Sequence, residues 1–216
     1  MSEEARLREA VCAHAASIFA RGLTSGASGN ISARLSDGRL LVTPTGSSFG
    51  ARDPARLSLF DAQGRLIGGD PPTKEMPLHA AFHETRGAKA AAVVHLHSTH
   101  SVALSTLPDA DEDDFLPRLT AYSVMRLGRV KLLPYFMPGD PAMGEAVRGL
   151  AGKRSAVMLA HHGPVVAARD LDVAVHAMEE LEETAKLALL TRGLNARVLD
   201  EVQTRALVER FDVEWD

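Results

Sequence analysis

The order of apolar and polar residues predicts helices packed on a mostly antiparallel sheet. Apolar side chains recur at helical spacing in residues 3–21, 76–86, 100–106, 115–127, 141–151, 171–191 and 200–209. Short apolar runs bounded by turn residues predict strands at 39–43, 57–61, 65–68, 90–94, 130–135, 155–160 and 165–168. Neither a repeat nor a linker interrupts this order. We therefore expect one α+β domain over residues 1–216.

Two histidines stand at the end of the apolar strand that begins at residue 90. Side chains two residues apart on a strand share a face, about 7 Å apart along the chain. His95 and His97 therefore point the same way, and two imidazoles so placed can hold one divalent metal ion. The alternative is a pair of packed histidines that hydrogen-bond to each other.

Two further pieces of the chain could complete such a site. His161 and His162 end the apolar strand at 155–160, and Glu75 opens the helix at 76–86. A carboxylate is favoured by the dipole at a helix start, so Glu75 could also be an ordinary helix-start acid. Three histidines and a glutamate are a common composition for catalytic zinc.

The remaining histidines fall on predicted helices, where packing or surface roles are the simpler interpretation. They are His14, His79, His83, His100 and His176. We expect His79 and His100 to be the exceptions, because they flank the predicted site.

The composition of the chain argues against nucleic acid and membranes as partners. The chain has 216 residues, 45% of them hydrophobic, and a net charge of −4, which does not favour nucleic acid. Its apolar runs are too short to span a bilayer, and the first ten residues lack the features of a signal peptide. Cys12 is the single cysteine, so we expect no internal disulfide and a cytoplasmic protein.

Two loops are rich in glycine and hydroxyl groups, at residues 24–32 and 43–48. Glycine lets backbone N–H groups approach an anion closely, which favours a phosphate site. The pattern of a nucleotide P-loop is absent from both loops. Without further evidence, they could also be ordinary flexible loops.

The motifs come in an order that resembles the class II aldolase/adducin family over nearly the whole chain. They are GNIS at 29–32, TPTG at 43–46, a glutamate that ends the run 72–75, HLHS at 95–98 and HHG at 161–163. The resemblance implies a three-layer α/β/α fold around a mainly antiparallel sheet. It also implies homotetramers whose active sites lie between neighbouring subunits.

The resemblance further implies roles for individual residues. The metal ligands would be His95, His97, His162 and Glu75, with Glu75 also the catalytic acid or base. The bound ion would be Zn²⁺ or another divalent metal such as Mn²⁺, Fe²⁺ or Co²⁺. Tyr122 would be a catalytic proton donor in the neighbouring subunit's site. The phosphate-binding residues would be Asn30, Thr45, Gly46 and Thr73.

The pair Thr73-Lys74 before the glutamate resembles the 3-oxo-tetronate 4-phosphate decarboxylase branch of the family. That branch implies loss of CO₂ from a phosphorylated four-carbon sugar acid through a metal-stabilised enediolate, which leaves dihydroxyacetone phosphate. Lys74 would then bind substrate. The alternatives are a class II sugar-phosphate aldolase or epimerase with the same metal site, and a non-catalytic adducin-like module. The module does not need the three histidines that this chain keeps.

Overall fold

A single eight-stranded sheet forms the centre of the molecule. The structure is a computed structural model that describes residues 1–215. The strands are β1 Asn30–Arg34, β2 Leu40–Val42, β3 Ser58–Phe60, β4 Leu66–Gly68, β5 Ala92–His95, β6 Lys131–Leu133, β7 Ala156–Leu159 and β8 Gly163–Ala168.

The strand order across the sheet is β4-β3-β2-β1-β5-β8-β7-β6. Every neighbouring pair is antiparallel except β6 and β7, which run parallel. The sheet is therefore mixed, and the expectation of a mainly antiparallel sheet is confirmed with this one exception. Strands β1, β5 and β8 lie at its middle, where both faces can be covered.

Seven α-helices flank the sheet in the part of the chain that the structure describes. They are α1 Glu3–Ala20, α2 Met76–Arg86, α3 Thr99–Ser105, α4 Ala121–Leu127, α5 Ala142–Gly149, α6 Leu171–Thr191 and α7 Glu201–Phe211. Within residues 1–215, none of them combines the length and the apolar character needed to cross a lipid bilayer.

The helix expected over residues 115–127 was too long by six residues. Helix α4 begins only at Ala121. Pro117 disfavours helical backbone in Leu116 before it, which removes the first part of the expected helix. The side chain of Thr120 then accepts a hydrogen bond from the Ser123 amide and caps the helix.

Side chains of the central strands alternate between two hydrophobic cores, one on each face of the sheet. Val93 packs in the core beneath α2 and α5, whereas Val94 packs in the core beneath α1 and α6. Val165 and Val166 on β8 divide in the same way. This period-two alternation of apolar residues explains the continuous apolar runs in the sequence, since a strand covered on both faces needs no polar side.

Strands β1 and β5 also set the place of the polar residues on the α2 face. Asn30 pairs in register with His95, and Ser32 pairs with Val93. Since Val93 faces α2, its strand neighbour His95 and the paired residues Asn30 and Ser32 share that face. The end of this face, where α2 begins, is where the candidate site lies.

Candidate metal centre

Four side chains from three separate parts of the chain meet at one end of β5. They are Glu75, His95, His97 and His162, and one ligand atom from each lies within 4.8 Å of all the others. Glu75 is the residue at the start of α2, His95 ends β5, and His162 lies in the turn between β7 and β8. These are the four residues whose types and positions predicted a metal site.

The carboxylate of Glu75 lies between two of the imidazoles. Its Oε2 is 3.3 Å from His95 Nε2, and its Oε1 is 3.1 Å from His162 Nε2. The Nε2 atoms of His97 and His162 are 3.1 Å apart. All four groups therefore direct ligand atoms toward one small volume, as a shared cation requires.

The hydrogen bonding of His95 fits a metal ligand. Its Nδ1 lies 2.9 Å from the carbonyl oxygen of Pro164, which can only accept, so Nδ1 carries the hydrogen. Its Nε2 therefore carries a lone pair, and this atom is buried and has no hydrogen-bond partner among residues 1–215. A carbonyl that fixes the tautomer of a ligand histidine is a common feature of metal sites.

Packed histidines alone account for this arrangement less well. The short contact between His97 and His162 would suit an ordinary hydrogen bond between imidazoles. A cluster of histidines without a metal, however, leaves the inward-facing Nε2 of His95 unsatisfied beside a buried carboxylate. A divalent cation satisfies both groups together, so the residues present fit such an ion.

The electrostatics of the cluster also favour a cation. Burial lowers the pKa of His95, and burial with the nearby His95 and His162 lowers the pKa of His97 to about 3. These imidazoles are therefore neutral at pH 7, the state in which they can bind a metal. Burial acts to raise the pKa of Glu75, but hydrogen bonds from His162 and from the amide of Asn30 hold it well below its usual range.

Close packing explains the glycine that follows His162. A Cβ atom at Gly163 would lie 2.0 Å from the carbonyl oxygen of Leu96 and 3.3 Å from the ring of His95. Only glycine lets β8 approach the segment between His95, the last residue of β5, and His97 so closely. His161 lies in the same turn with a φ of 58° and an exposed side chain, so His162 and not His161 joins the cluster.

A cleft of about 170 Å³ opens directly beside the cluster. Glu75, His97 and His162 line it, while His95 is wholly buried beneath. The five residues expected to bind substrate or phosphate also line this cleft, namely Asn30, Thr45, Gly46, Thr73 and Lys74. The structure thus brings the expected binding loops and the candidate metal ligands to one opening.

The loop at 43–48 is joined through its backbone to the segment at 71–75 that leads into α2. Thr45 donates its amide hydrogen to the carbonyl of Pro71, and Pro44 forms an isolated bridge with Pro72. Gly46 has a φ of 68°, and a Cβ there would meet no atom within 4 Å. Its backbone therefore borders open space in the cleft, where an anion could approach the N–H groups.

Tyr122 lies outside this cleft in the single chain. Its ring is 58% exposed on α4 and stands over the guanidinium of Arg126. A role in the same chain's site is therefore excluded by position, whereas the expected role in a neighbouring subunit's site stays a prediction. Lys74 is exposed at the rim of the cleft, opposite Gly139.

Of the two flanking histidines, only His79 contacts a site residue. Its Nε2 lies against the Oδ1 of Asn30. His100 instead contacts the carboxylate of Glu182, which caps the start of α3. The expectation that His100 is an exception to a packing or surface role was therefore wrong.

The sequence analysis did not single out Ser32 and His83. The hydroxyl of Ser32 contacts the imidazoles of both His79 and His83, so these residues extend the buried polar contacts away from Asn30. Burial and nearby His83 and His95 lower the pKa of His79 to about 3, and burial lowers that of His83 to about 4. Both imidazoles are therefore neutral at pH 7. The spacing of Glu75, His79 and His83 by four residues was the signal that could have revealed them.

A family model described as "Class II Aldolase and Adducin N-terminal domain" matches residues 9–189. The chain belongs to this family. The match includes every residue of the cluster and of the cleft. It agrees with the family resemblance that the order of the motifs indicated.

Two relatives and one solved structure show where in the family the chain stands. A 3-oxo-tetronate 4-phosphate decarboxylase of Cupriavidus necator is 44% identical over 100% of both chains. The crystal structure of YgbL from Escherichia coli has a TM-score of 0.92 and 43% identity, over 95% of this chain and 99% of that one. An L-fuculose phosphate aldolase of Escherichia coli is 30% identical, over 88% of this chain and 86% of the relative.

We predict that His97→Ala removes most of the bound metal while the fold survives. His97 supplies one of the four ligand groups and lines the open side of the cluster, so its loss weakens binding without emptying a core. The measurement is metal per chain by mass spectrometry after purification, with circular dichroism as the test of folding.

His14→Ala is the matched control, since His14 is half-buried on α1, lies outside the ligand cluster and pairs with Asp172. It should keep the metal content of the unaltered protein. Full metal occupancy in folded His97→Ala would contradict a ligand role for His97.

Proposed function

We propose that this protein is a metal-dependent carboxy-lyase that converts a 3-oxo-tetronate 4-phosphate to dihydroxyacetone phosphate and CO₂. The observation that carries the proposal is the cluster of Glu75, His95, His97 and His162 at the foot of a cleft lined by two loops rich in glycine and hydroxyl groups. The full-length similarity to the decarboxylase of Cupriavidus necator supports the choice of substrate. A place in four-carbon acid sugar catabolism follows from that substrate.

The chemistry asks the site to hold the electron pair that CO₂ leaves behind. A divalent metal on His95, His97, His162 and Glu75 would act as a Lewis acid toward the substrate's hydroxyl and carbonyl oxygens. Zinc fits a set of three histidines and a glutamate, and Mn²⁺, Fe²⁺ or Co²⁺ could also occupy it. The neutral imidazoles of His95 and His97 keep their lone pairs for the ion at pH 7, and the glutamate adds one negative charge.

The loops would hold the other end of the substrate. Backbone N–H groups around Thr45 and Gly46, and the side chains of Asn30 and Thr73, border the same opening and suit a phosphate group. The phosphate would then lie at the mouth of the cleft with the reacting carbons toward the histidines. Binding at both ends orients the bond to CO₂ before it breaks.

Loss of CO₂ needs no base to begin, but one carbon must be protonated afterwards. The carboxylate of Glu75 is ionised at rest, so it would first take up a proton from solvent through the cleft and then pass it to the carbon. Tyr122 of a neighbouring subunit is the other candidate donor. The second role needs a homotetramer with sites between subunits. The alternative function is an aldolase or epimerase, in which Glu75 would act first as a base.

We expect the purified, metal-loaded protein to release CO₂ and dihydroxyacetone phosphate in equal amounts from 3-oxo-tetronate 4-phosphate. The reason is that the cluster can stabilise the negative charge left after CO₂ departs. The measurement couples CO₂ detection to an assay for the triose phosphate. Cleavage of fuculose phosphate without any CO₂ release from the tetronate would favour the aldolase alternative.

Lys74 would contribute to substrate specificity. Its ammonium can bind the phosphate as a point charge or stabilise the developing enediolate. Tight pairing with the departing carboxylate is less favourable, because it would stabilise the ground state and slow the loss of CO₂. We therefore assign Lys74 to the phosphate or the enediolate.

We predict that Lys74→Ser lowers kcat/KM for decarboxylation by about 10- to 150-fold, the loss expected for a charge-assisted hydrogen bond. Metal content should not change, since Lys74 is outside the ligand cluster. Steady-state kinetics and metal analysis measure the two effects. Lys153→Ser is the control, an exposed lysine that does not line the cleft. A wild-type kcat/KM in Lys74→Ser would make Lys74 a solvated surface residue.

We predict that Tyr122→Phe and His97→Ala subunits, each inactive as a homo-oligomer, recover part of the activity when mixed. A site built from Tyr122 of one subunit and His97 of another would be intact at some interfaces. The measurement is turnover after subunit exchange, with mixing verified by mass spectrometry. Verified mixed oligomers without activity would exclude a shared site.

A further inference from the structure

A chain of buried polar side chains runs from the candidate metal centre along the inner face of α2. Glu75, His79 and His83 follow one another at intervals of four residues, so they lie on one side of the helix. Opposite them, Asn30 and Ser32 project from the same face of β1. His79 and Ser32 are both 0% exposed, so their polar atoms have only each other and their neighbours as partners.

The first link joins the chain to the cluster. The amide nitrogen of Asn30 lies 2.7 Å from Glu75 Oε2 and 3.1 Å from the hydroxyl of Thr73. The amide oxygen lies on the other side, against Nε2 of His79. Asn30 is thus the only side chain within residues 1–215 that hydrogen-bonds both to Glu75 and to the polar chain behind it.

The remaining links continue away from the cluster. His79 Nδ1 lies 2.7 Å from Ser32 Oγ, and the same oxygen lies 2.8 Å from His83 Nε2. His83 Nδ1 lies 2.6 Å from the carbonyl oxygen of Ala90. The chain therefore ends on an oxygen acceptor at each end, Asn30 Oδ1 and Ala90 O.

The carboxylate of Glu75 sets the direction of these hydrogen bonds. An ionised carboxylate only accepts, so Asn30 must turn its NH₂ group toward Glu75 and its oxygen toward His79. That oxygen requires a hydrogen on His79 Nε2. The neutral imidazole then has a lone pair at Nδ1, which requires the hydroxyl hydrogen of Ser32.

The polar chain has fewer hydrogens than it has contacts between polar atoms. The contacts from Asn30 to Ala90 number four, whereas two neutral imidazoles and one hydroxyl supply only three hydrogens. One contact is therefore not a hydrogen bond. If Ser32 donates to His79, the unsatisfied contact falls at His83, remote from the cluster; if Ser32 donates to His83, it falls at His79 or Asn30.

We propose that His79, held in its Nε2–H tautomer by the hydroxyl of Ser32, is a positioning residue that locks the amide of Asn30 against Glu75. His79 touches neither the cleft nor the candidate ligand atoms, so it acts only through Asn30. The amide in turn restrains the carboxylate and the hydroxyl of Thr73. The effect on turnover rests on the proposed function, whereas the tautomer does not.

The first test reads the tautomer directly. Metal-loaded protein labelled with ¹⁵N-histidine is examined by magic-angle-spinning NMR, and the His79 signals are assigned by their loss in His79→Gln. We expect a protonated Nε2 and an unprotonated Nδ1 in the unaltered protein. Ser32→Ala should give a mixture of tautomers or the Nδ1–H form. An unaltered protein with Nδ1–H at His79 would overturn the proposal.

The second test measures turnover and binding separately. Ser32→Ala should lower kcat by about 5- to 100-fold, the range for a lost buried hydrogen bond, while KM and metal content change little. Ser58→Ala is the matched control, because Ser58 is also a wholly buried strand serine whose hydroxyl donates to a backbone carbonyl. It should keep the kcat of the unaltered protein.

The outcomes separate this proposal from the proposed function. If the unaltered protein releases CO₂ from the tetronate phosphate but Ser32→Ala has an unchanged kcat, positioning by His79 is wrong and the function stands. If the unaltered protein releases none, the function fails and the NMR result alone judges the tautomer. Should Ser32→Ala not fold, His79→Gln, which keeps an N–H donor, should retain more kcat than His79→Leu; equal loss in both would overturn positioning.

Discussion

A buried carboxylate at the start of α2 is the constraint on which the site depends. Glu75 is 7% exposed, and an ionised group so placed needs donors or a cation close by. The amide of Asn30 supplies one donor, and the imidazoles of His95 and His162 flank the two oxygens. A divalent cation would supply the missing positive charge. The burial of Glu75 and the neutral state of His95 and His97 therefore belong together.

The fold meets this constraint by placing irregular backbone around a rigid centre. Strands β1, β5 and β8 are covered on both faces, so their ends hold Asn30 and His95 in fixed register. The turn at Gly163 packs directly on the backbone between His95 and His97, which brings in His162. The loops that border the cleft can then vary in composition without moving the ligands.

The charge on Glu75 also explains the polar residues beneath the site. A buried chain with too few hydrogens has two competing arrangements, and the charge on Glu75 favours one of them. Apolar residues at His79 and Ser32 would pack the same space without this conflict. Their polar character is explained if the orientation of Asn30 is what they secure.

Much of this protein follows from the sequence, because its motifs and periodicity are local. The alternation of strands, the helix at 76–86 and the pairing of His95 with His97 need only the spacing of residues along the chain. His97 itself lies just beyond the end of β5. The order of the motifs also indicated the family. What the tertiary structure alone decided is which distant groups touch. Register between β1 and β5 sets Asn30 beside His95, Pro117 shortens α4, and the hydrogen bonds of Ser32 and His83 appear only once α2 packs on the sheet. Contacts between segments depend on strand register and helix packing, which spacing within one segment does not determine.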